Sequence, residues 1–114
     1  MQSSSTAEVR LEIYADGELS PELVSGISAA LSQRWPVEWD VKIPPKPSPT
    51  HPAEWRSVVP IPDGQSFELM HQGVADSVRQ LDASHLLHFR TRWAHQETPD
   101  HQEVYEERWT PDRR

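Results

Sequence analysis

The chain of 114 residues contains no cysteine. This absence excludes disulfide bonds, cysteine zinc sites and thiolate nucleophiles. Because small secreted domains usually depend on such cross-links, we expect a cytoplasmic protein. The opening sequence MQSSSTAEVR lacks the basic and apolar regions of a signal peptide. No apolar run approaches the roughly 20 residues that cross a membrane, so the sequence predicts no membrane contact.

Glycine is scarce as well, and its four residues are scattered along the chain. Neither of the glycine-rich phosphate-binding patterns, the dinucleotide fingerprint and the P-loop, occurs. No serine lies in the strand-turn-helix context of a hydrolase nucleophile. These absences favour a non-enzymatic protein that needs no cofactor.

Six histidines raise the question of a metal site. His85 and His88 are three residues apart, but they fall at the start of a predicted strand, where residues i and i+3 point to opposite faces. His95 and His101 flank a predicted turn that also holds carboxylates. Two histidines in a turn do not complete the four-ligand set of zinc, so the sequence predicts no metal site.

The chain is acidic, with 11 basic and 18 acidic residues and a formal net charge of −7. An acidic surface repels phosphate backbones, so we expect no nucleic-acid partner. The charge is compatible with a basic protein partner. Its simpler explanation is that net charge keeps a small protein in solution.

The first half of the chain changes from the period of a strand to that of a helix and back. In residues 7–14, apolar and polar residues alternate, which predicts a strand with one buried face. Ser20 and Pro21 are typical of a helix start, and Pro36 ends that helix. Residues 37–43 alternate again, so the three elements predict a βαβ unit with a right-handed crossover.

The second half begins with a proline-rich segment, residues 44–52, which predicts a stiff connection; its PxxP spacing leaves a binding loop over residues 44–53 as the alternative. Residues 54–61 predict a short strand. Helical spacing of the apolar residues predicts a second helix over residues 66–82. Residues 86–94 and 103–109 predict two further strands, joined by a turn.

The order of these elements is β-α-β-β-α-β with an added C-terminal strand. It resembles the ferredoxin-like sandwich, in which two helices cover one face of a mainly antiparallel sheet. We therefore predict an α+β fold with a single domain over residues 7–110. Residues 1–6 are expected to be disordered and residues 111–114 to be frayed. The resemblance concerns an architecture that hosts many activities, so it implies no function.

Five tryptophans are spread along the chain. Trp35, Trp39 and Trp93 fall on the apolar faces of predicted elements, so we assign them to the core. Trp55 and Trp109 lie outside the strongest apolar patterns, near proline-rich ends. If exposed, these two residues are anchors for a partner; if buried, they close the ends of the sheet.

The last two predicted strands carry arginines beside aromatic residues, a composition typical of protein interfaces. The first hypothesis is therefore a small protein-binding module of the accessory, inhibitor or immunity type. It would act through its sheet surface and C-terminal hairpin, with anchors at Trp55, Arg90, Arg92, Tyr105 and Trp109. The simpler alternative is a solvated face whose arginines pair with glutamates across the hairpin, at roughly 0.2–1 kcal/mol for each pair.

Two further hypotheses remain open. A small-molecule sensor or small enzyme would use a pocket between the sheet and the helices, with Asp16, Asp40, His71 and His88 as the polar groups to examine. Alternatively, a sheet face that alternates apolar and polar residues can pair with its copy around a two-fold axis, which would give a homodimer.

Overall fold

The computed structural model describes residues 5–15, 19–61, 65–81, 87–96 and 100–109. Most of the predicted disordered N-terminus and the whole C-terminal tail fall outside these ranges. The elements, in chain order, are β1 (Ser5–Ala15), α1 (Pro21–Arg34), β2 (Asp40–Lys42), β3 (Ala53–Ile61), α2 (Phe67–Arg79), β4 (Leu87–His95) and β5 (Gln102–Trp109).

Within the described chain, the strands form one antiparallel sheet in the order β2-β3-β1-β4-β5. Both helices pack on the same face of this sheet. Trp55 and Thr91 lie opposite Leu11 on its two sides, and they bond to α1 and α2 respectively. The predicted α+β fold, with two helices on an antiparallel sheet, is thereby confirmed.

The core lies between this sheet face and the helices. Val9, Leu11 and Ile13 of β1 are at most 1% exposed, as the alternation of apolar residues predicts. On β4, Phe89 and Trp93 extend the same buried face. Because β1 pairs with strands on both sides, its apolar residues form the centre of the core.

The helices begin where the sequence predicts. Ser20 Oγ accepts a hydrogen bond from the Leu23 amide at 3.1 Å, and Ser66 Oγ accepts one from Leu69 at 3.2 Å. Each serine thus satisfies a backbone donor that has no partner within its own helix. The structure describes no helix that is both long and apolar enough to cross a membrane.

The second strand is the element that differs most from its prediction. It spans only Asp40–Lys42 and lies exposed at one edge of the sheet. The two strands of the predicted βαβ unit are not adjacent in the sheet, since β3 lies between β1 and β2. The Trp39 indole N–H donates to the carbonyl of Trp35, which ties the residues before β2 to the end of α1, although Glu38 still accepts a hydrogen bond from Ser57 of β3.

Candidate functional site

The face of the sheet opposite the helices is covered by no element among the described residues. We call it the open face. It carries six of the chain's basic residues and five acidic ones, together with Tyr14, His88, Val58 and Val104. The basic residues are Arg10, Lys42, Arg56, Arg90, Arg92 and Arg108, and the acidic ones are Glu8, Glu12, Asp40, Glu54 and Glu106.

Three of these arginines form a row across the central strands. Arg10 of β1 lies directly opposite Arg56 of β3 on one side and Arg92 of β4 on the other. Since neighbouring strands are about 4.8 Å apart, the Cα atoms of the three arginines span about 10 Å across the sheet. Like charges placed opposite each other are unfavourable, so this arginine row needs carboxylates beside it.

Glu12 supplies part of that negative charge from the centre of the sheet. Its Oε1 atom accepts hydrogen bonds from Arg90 Nε at 2.5 Å and from Arg92 Nε at 2.9 Å. The residue is only 6% exposed to solvent. Burial alone would raise the pKa of Glu12, but the two guanidinium groups together lower it below its usual value. Glu12 is therefore an ionised carboxylate that holds two arginines in fixed positions.

Two other basic residues of the open face, Arg56 and Arg108, have no ion pair with the described residues. Arg10 pairs with Glu54 at 3.5 Å, a contact that is partly exposed. The guanidinium groups of Arg56 and Arg108 are thus the ones most available to a carboxylate from outside.

A concavity of about 190 Å³ opens beside Glu12 and reaches the end of the sheet. Tyr14 and His88 form one wall, stacked in parallel with ring centroids 4.8 Å apart. Its volume is below the roughly 300–1,000 Å³ of small-molecule pockets, although it can hold one protein side chain. Beside Glu12, the charged residues that line it are Arg90, Glu106, Glu107 and Arg108.

Of the residues predicted to bind a partner, Arg90 and Arg92 lie together on the open face. Trp55 does not: it is 0% exposed on the opposite face, and its indole N–H donates to Ser28 Oγ at 3.0 Å. A residue without exposed surface cannot contact a partner, so Trp55 belongs to the core and not to this surface. Trp35 and Trp93 are buried as predicted, and Trp39 packs against them partly exposed.

Tyr105 also faces the helix side of the sheet, because it lies opposite Thr91. Its hydroxyl donates to Glu103, which raises the pKa of Tyr105 to about 12, and its ring stacks on His71. The side chain of Trp109 lies outside the described residues, so the structure gives no position for this predicted anchor.

The polar groups of the alternative pocket hypothesis do not meet in one place. His71 is 2% exposed between α2 and the sheet, whereas His88 lies on the open face and Asp40 on the edge strand. Asp16 falls outside the described residues. One concavity lies at the open face, another near the β2 edge and a third in the proline-rich segment.

The sequence pattern missed the most important members of the open face: Arg10, Glu12 and Arg56. Alternation placed Arg10 and Glu12 on the polar side of their strand, which was a usable signal, whereas residues 54–61 predicted a strand without a defined polar side for Arg56. Their grouping depends on strand order, because Arg10 and Arg56 are distant in sequence and adjacent only in the sheet.

No group of three or more histidine or acidic residues in the described parts of the chain is close enough to hold a metal ion. Comparison of the chain with protein-family models, with curated proteins and with solved structures gives no match. The candidate function therefore rests on the geometry of the open face.

Proposed function

We propose that this protein is a non-enzymatic binding module whose open face recognises a carboxylate-rich surface of a partner protein. The observation that carries the proposal is the distribution of charge. With six basic and five acidic residues, the open face has a formal charge of +1 in a chain of net charge −7. Most of the negative charge therefore lies away from this face.

This distribution favours an acidic partner surface over the basic partner that net charge alone suggests. Long-range attraction follows net charge, but the affinity of a docked complex depends on the groups that meet in the contact. Arginine is the basic residue most enriched at interfaces, because its planar guanidinium binds a carboxylate through two hydrogen bonds. Arg56 and Arg108, without an ion pair among the described residues, are the first candidates for such contacts.

A nucleic acid fits the open face less well than a protein does. The acidic residues, among them Glu8 and Asp40, are interspersed with the arginines and would repel a phosphate backbone. A protein partner can place basic groups opposite these carboxylates. The mixture of charges is therefore typical of a specific protein contact.

The concavity beside Glu12 supplies a place for an anchor residue of the partner. Binding energy is concentrated where a side chain fills a pocket and displaces water. The stacked rings of Tyr14 and His88 offer an apolar wall, and Arg108 lies at the rim. A partner glutamate would place its apolar stem against the rings and its carboxylate beside Arg108, because Arg90 is already paired with Glu12 and Glu106.

The finer topology is a proposal of the same kind: we assign the fold to the ferredoxin-like sandwich with β5 added beside β4. The support is that each helix joins strands that are not neighbours. Helix α1 connects β1 and β2 across β3, and α2 connects β3 and β4 across β1. This interleaving of two split βαβ units is characteristic of that architecture.

Site-specific photo-crosslinking tests where the partner binds. A photoreactive residue replaces Val58 or Val104 on the open face, or Leu69 on the outer side of α2 as the control; all three are between 42% and 52% exposed. We expect the same protein to be cross-linked from both open-face positions and not from Leu69. Cross-linking from Leu69 alone would place the interface on the helices and refute the proposal.

Charge reversal tests the chemistry of the contact. Arg56→Glu and Arg108→Glu are expected to weaken the binding of the cross-linked protein about tenfold or more, which corresponds to about 1.4 kcal/mol. Lys46→Glu makes the same change of charge in the proline-rich segment and should leave affinity within about twofold. Stronger binding by the two arginine variants would show that the partner surface is basic.

A further inference from the structure

The strongest feature outside the open face is a histidine buried beneath the last strand. His71 of α2 is 2% exposed. Its Nδ1 atom lies 2.8 Å from Thr91 Oγ1, and its Nε2 atom lies 3.1 Å from Glu107 Oε2. Burial lowers the pKa of His71, and the nearby carboxylate of Glu107 only partly offsets this effect.

The neighbouring donors determine which ring nitrogen carries hydrogen. Trp93 Nε1 donates to Thr91 Oγ1 at 2.7 Å, so the threonine hydroxyl hydrogen is available for His71 Nδ1. The neutral ring then accepts at Nδ1 and carries its hydrogen on Nε2, beside Glu107. A second proton, on Nδ1, would make the Thr91 hydroxyl accept from both His71 and Trp93. The hydroxyl hydrogen would then lose its acceptor at a residue that is 0% exposed.

Glu107 compensates a positive charge on the ring incompletely. Its Oε2 atom is buried and has no aligned hydrogen bond among the described residues, so the contact with Nε2 is one of proximity. The other carboxylate oxygen of Glu107 is already paired with Arg79 of α2, whose positive charge opposes protonation of the ring. Glu68, on the same helix, favours protonation weakly.

The aromatic side chains that cover the ring belong to two strands, one inside the described sheet and one at its edge. Tyr105 of β5 stacks on His71 with centroids 5.5 Å apart, and Phe89 of β4 lies 6.2 Å away. In the described sheet β4 pairs with a strand on each side, whereas β5 pairs only with β4. Water therefore reaches the ring most easily by movement of β5, because edge elements open at lower cost than central ones.

We propose that His71 is a pH-sensitive latch that holds β5 against α2 while the ring is neutral and releases this edge strand when the ring is protonated. β5 contributes Val104, Glu106 and Arg108 to the open face. Release of the strand would remove one side of that surface. This consequence for partner binding rests on the proposed function, whereas the latch itself does not.

Amide hydrogen exchange of the free, full-length protein tests the latch without a partner. Protection of residues 102–109, corrected for intrinsic exchange, is compared between about pH 7.5 and pH 5.5, on either side of the ordinary histidine pKa. We expect protection of β5 to fall at the lower pH while β1 and β3 keep theirs. Because the ordinary histidine pKa is about 6.5, the fall over this pH range has a limit of about tenfold, and it approaches that limit as the pKa of the buried ring lies further below that of the released ring.

Two variants separate His71 from the other histidines. His71→Gln, which does not titrate, should remove the pH dependence of β5 exchange, and His51→Gln, exposed in the proline-rich segment, should retain it. If His71→Gln does not fold, an NMR titration of the wild-type imidazoles replaces it, and the His71 ring must titrate together with the β5 amides. A pH-independent β5, loss of protection in all strands at once, or unchanged pH dependence in His71→Gln would overturn the latch. None of these results requires a partner, so they are distinguishable from failure of the open-face proposal.

Discussion

Glu12 and Arg90 lie directly opposite each other on the two central strands β1 and β4, with Oε1 and Nε 2.5 Å apart. Arg92 binds the same oxygen from the next position on that face. One buried carboxylate thus orients two arginines of the candidate interface. This arrangement makes Glu12 a positioning residue of the open face, although it has little exposed surface of its own.

Glu12→Gln is expected to lower the free energy of unfolding by about 1–3 kcal/mol, because it leaves two guanidinium groups without their shared counter-charge. The cost stays below that of a fully buried pair, since both arginines are partly exposed and can take up water. Urea denaturation measures it. Glu54→Gln, which removes the longer contact with Arg10, is the matched control and should cost less than about 1 kcal/mol.

The lowered pKa of Glu12 predicts that the free energy of unfolding decreases at acidic pH. A carboxylate whose pKa is lower in the folded state stabilises the fold above its unfolded pKa, and that contribution is lost as pH falls through the folded pKa. The urea midpoint should therefore decline below about pH 4.5, the ordinary value for glutamate. In Glu12→Gln this decline should be shallower; an identical pH profile would show that other carboxylates cause it.

Thr91 links Trp93 and His71 through one buried hydroxyl. Thr91→Val keeps the shape but leaves the Trp93 N–H and His71 Nδ1 unpaired, at an expected cost of about 2–4 kcal/mol. Thr91→Ser keeps the hydroxyl and loses one methyl group, at about 1 kcal/mol. Thermal or urea unfolding of the two variants gives the comparison. If serine is the more damaging substitution, packing and not hydrogen bonding dominates at this position.

Trp55→Ala should destabilise the protein by about 3–5 kcal/mol, because it opens a cavity in the core and removes the hydrogen bond to Ser28. Val58→Ala, on the same strand but 42% exposed, should change stability by less than about 0.5 kcal/mol. Denaturant midpoints distinguish the two. A Trp55→Ala protein with wild-type stability would contradict the core position of this residue.

The serine that caps α2 gives a further comparison with a serine inside a helix. Ser66→Ala removes the acceptor for the Leu69 amide at the start of α2 and should cost about 1 kcal/mol. Ser25 lies exposed within α1, so Ser25→Ala should alter stability by no more than about 0.5 kcal/mol. Equal effects of the two substitutions on the midpoint of unfolding would argue against a capping role for Ser66.

The local elements could be predicted because their causes are local. Alternation in β1 reflects the two faces of a strand, and Ser20 with Pro21 satisfies the conditions of a helix start within a few residues. The error over residues 37–43 comes from a side-chain contact that the alternation of apolar and polar residues does not reveal. Trp39 is attached to the end of α1 through Trp35, which leaves only three residues to pair with β3.

The candidate interface was only partly accessible to sequence reasoning. Arg90 and Arg92 were found because two arginines alternate within a single strand. Their partner Glu12 was not found, since it lies 78 residues before Arg90 in the sequence and no periodicity connects residues so far apart. Trp55 was misplaced for the same reason, because the group that satisfies its indole N–H belongs to a helix earlier in the chain.

Apart from the short edge strand β2, the sequence by itself determined where the strands and helices lie, because alternation and capping depend on neighbours within a turn or a pleat. The tertiary structure alone decided which strands and side chains are neighbours in space. The order β2-β3-β1-β4-β5 brings Arg56, Arg10 and Arg92 into one row and places His71 beneath β5. Strand order follows from how the whole core packs, and that packing is a property of the folded chain and not of any segment of it.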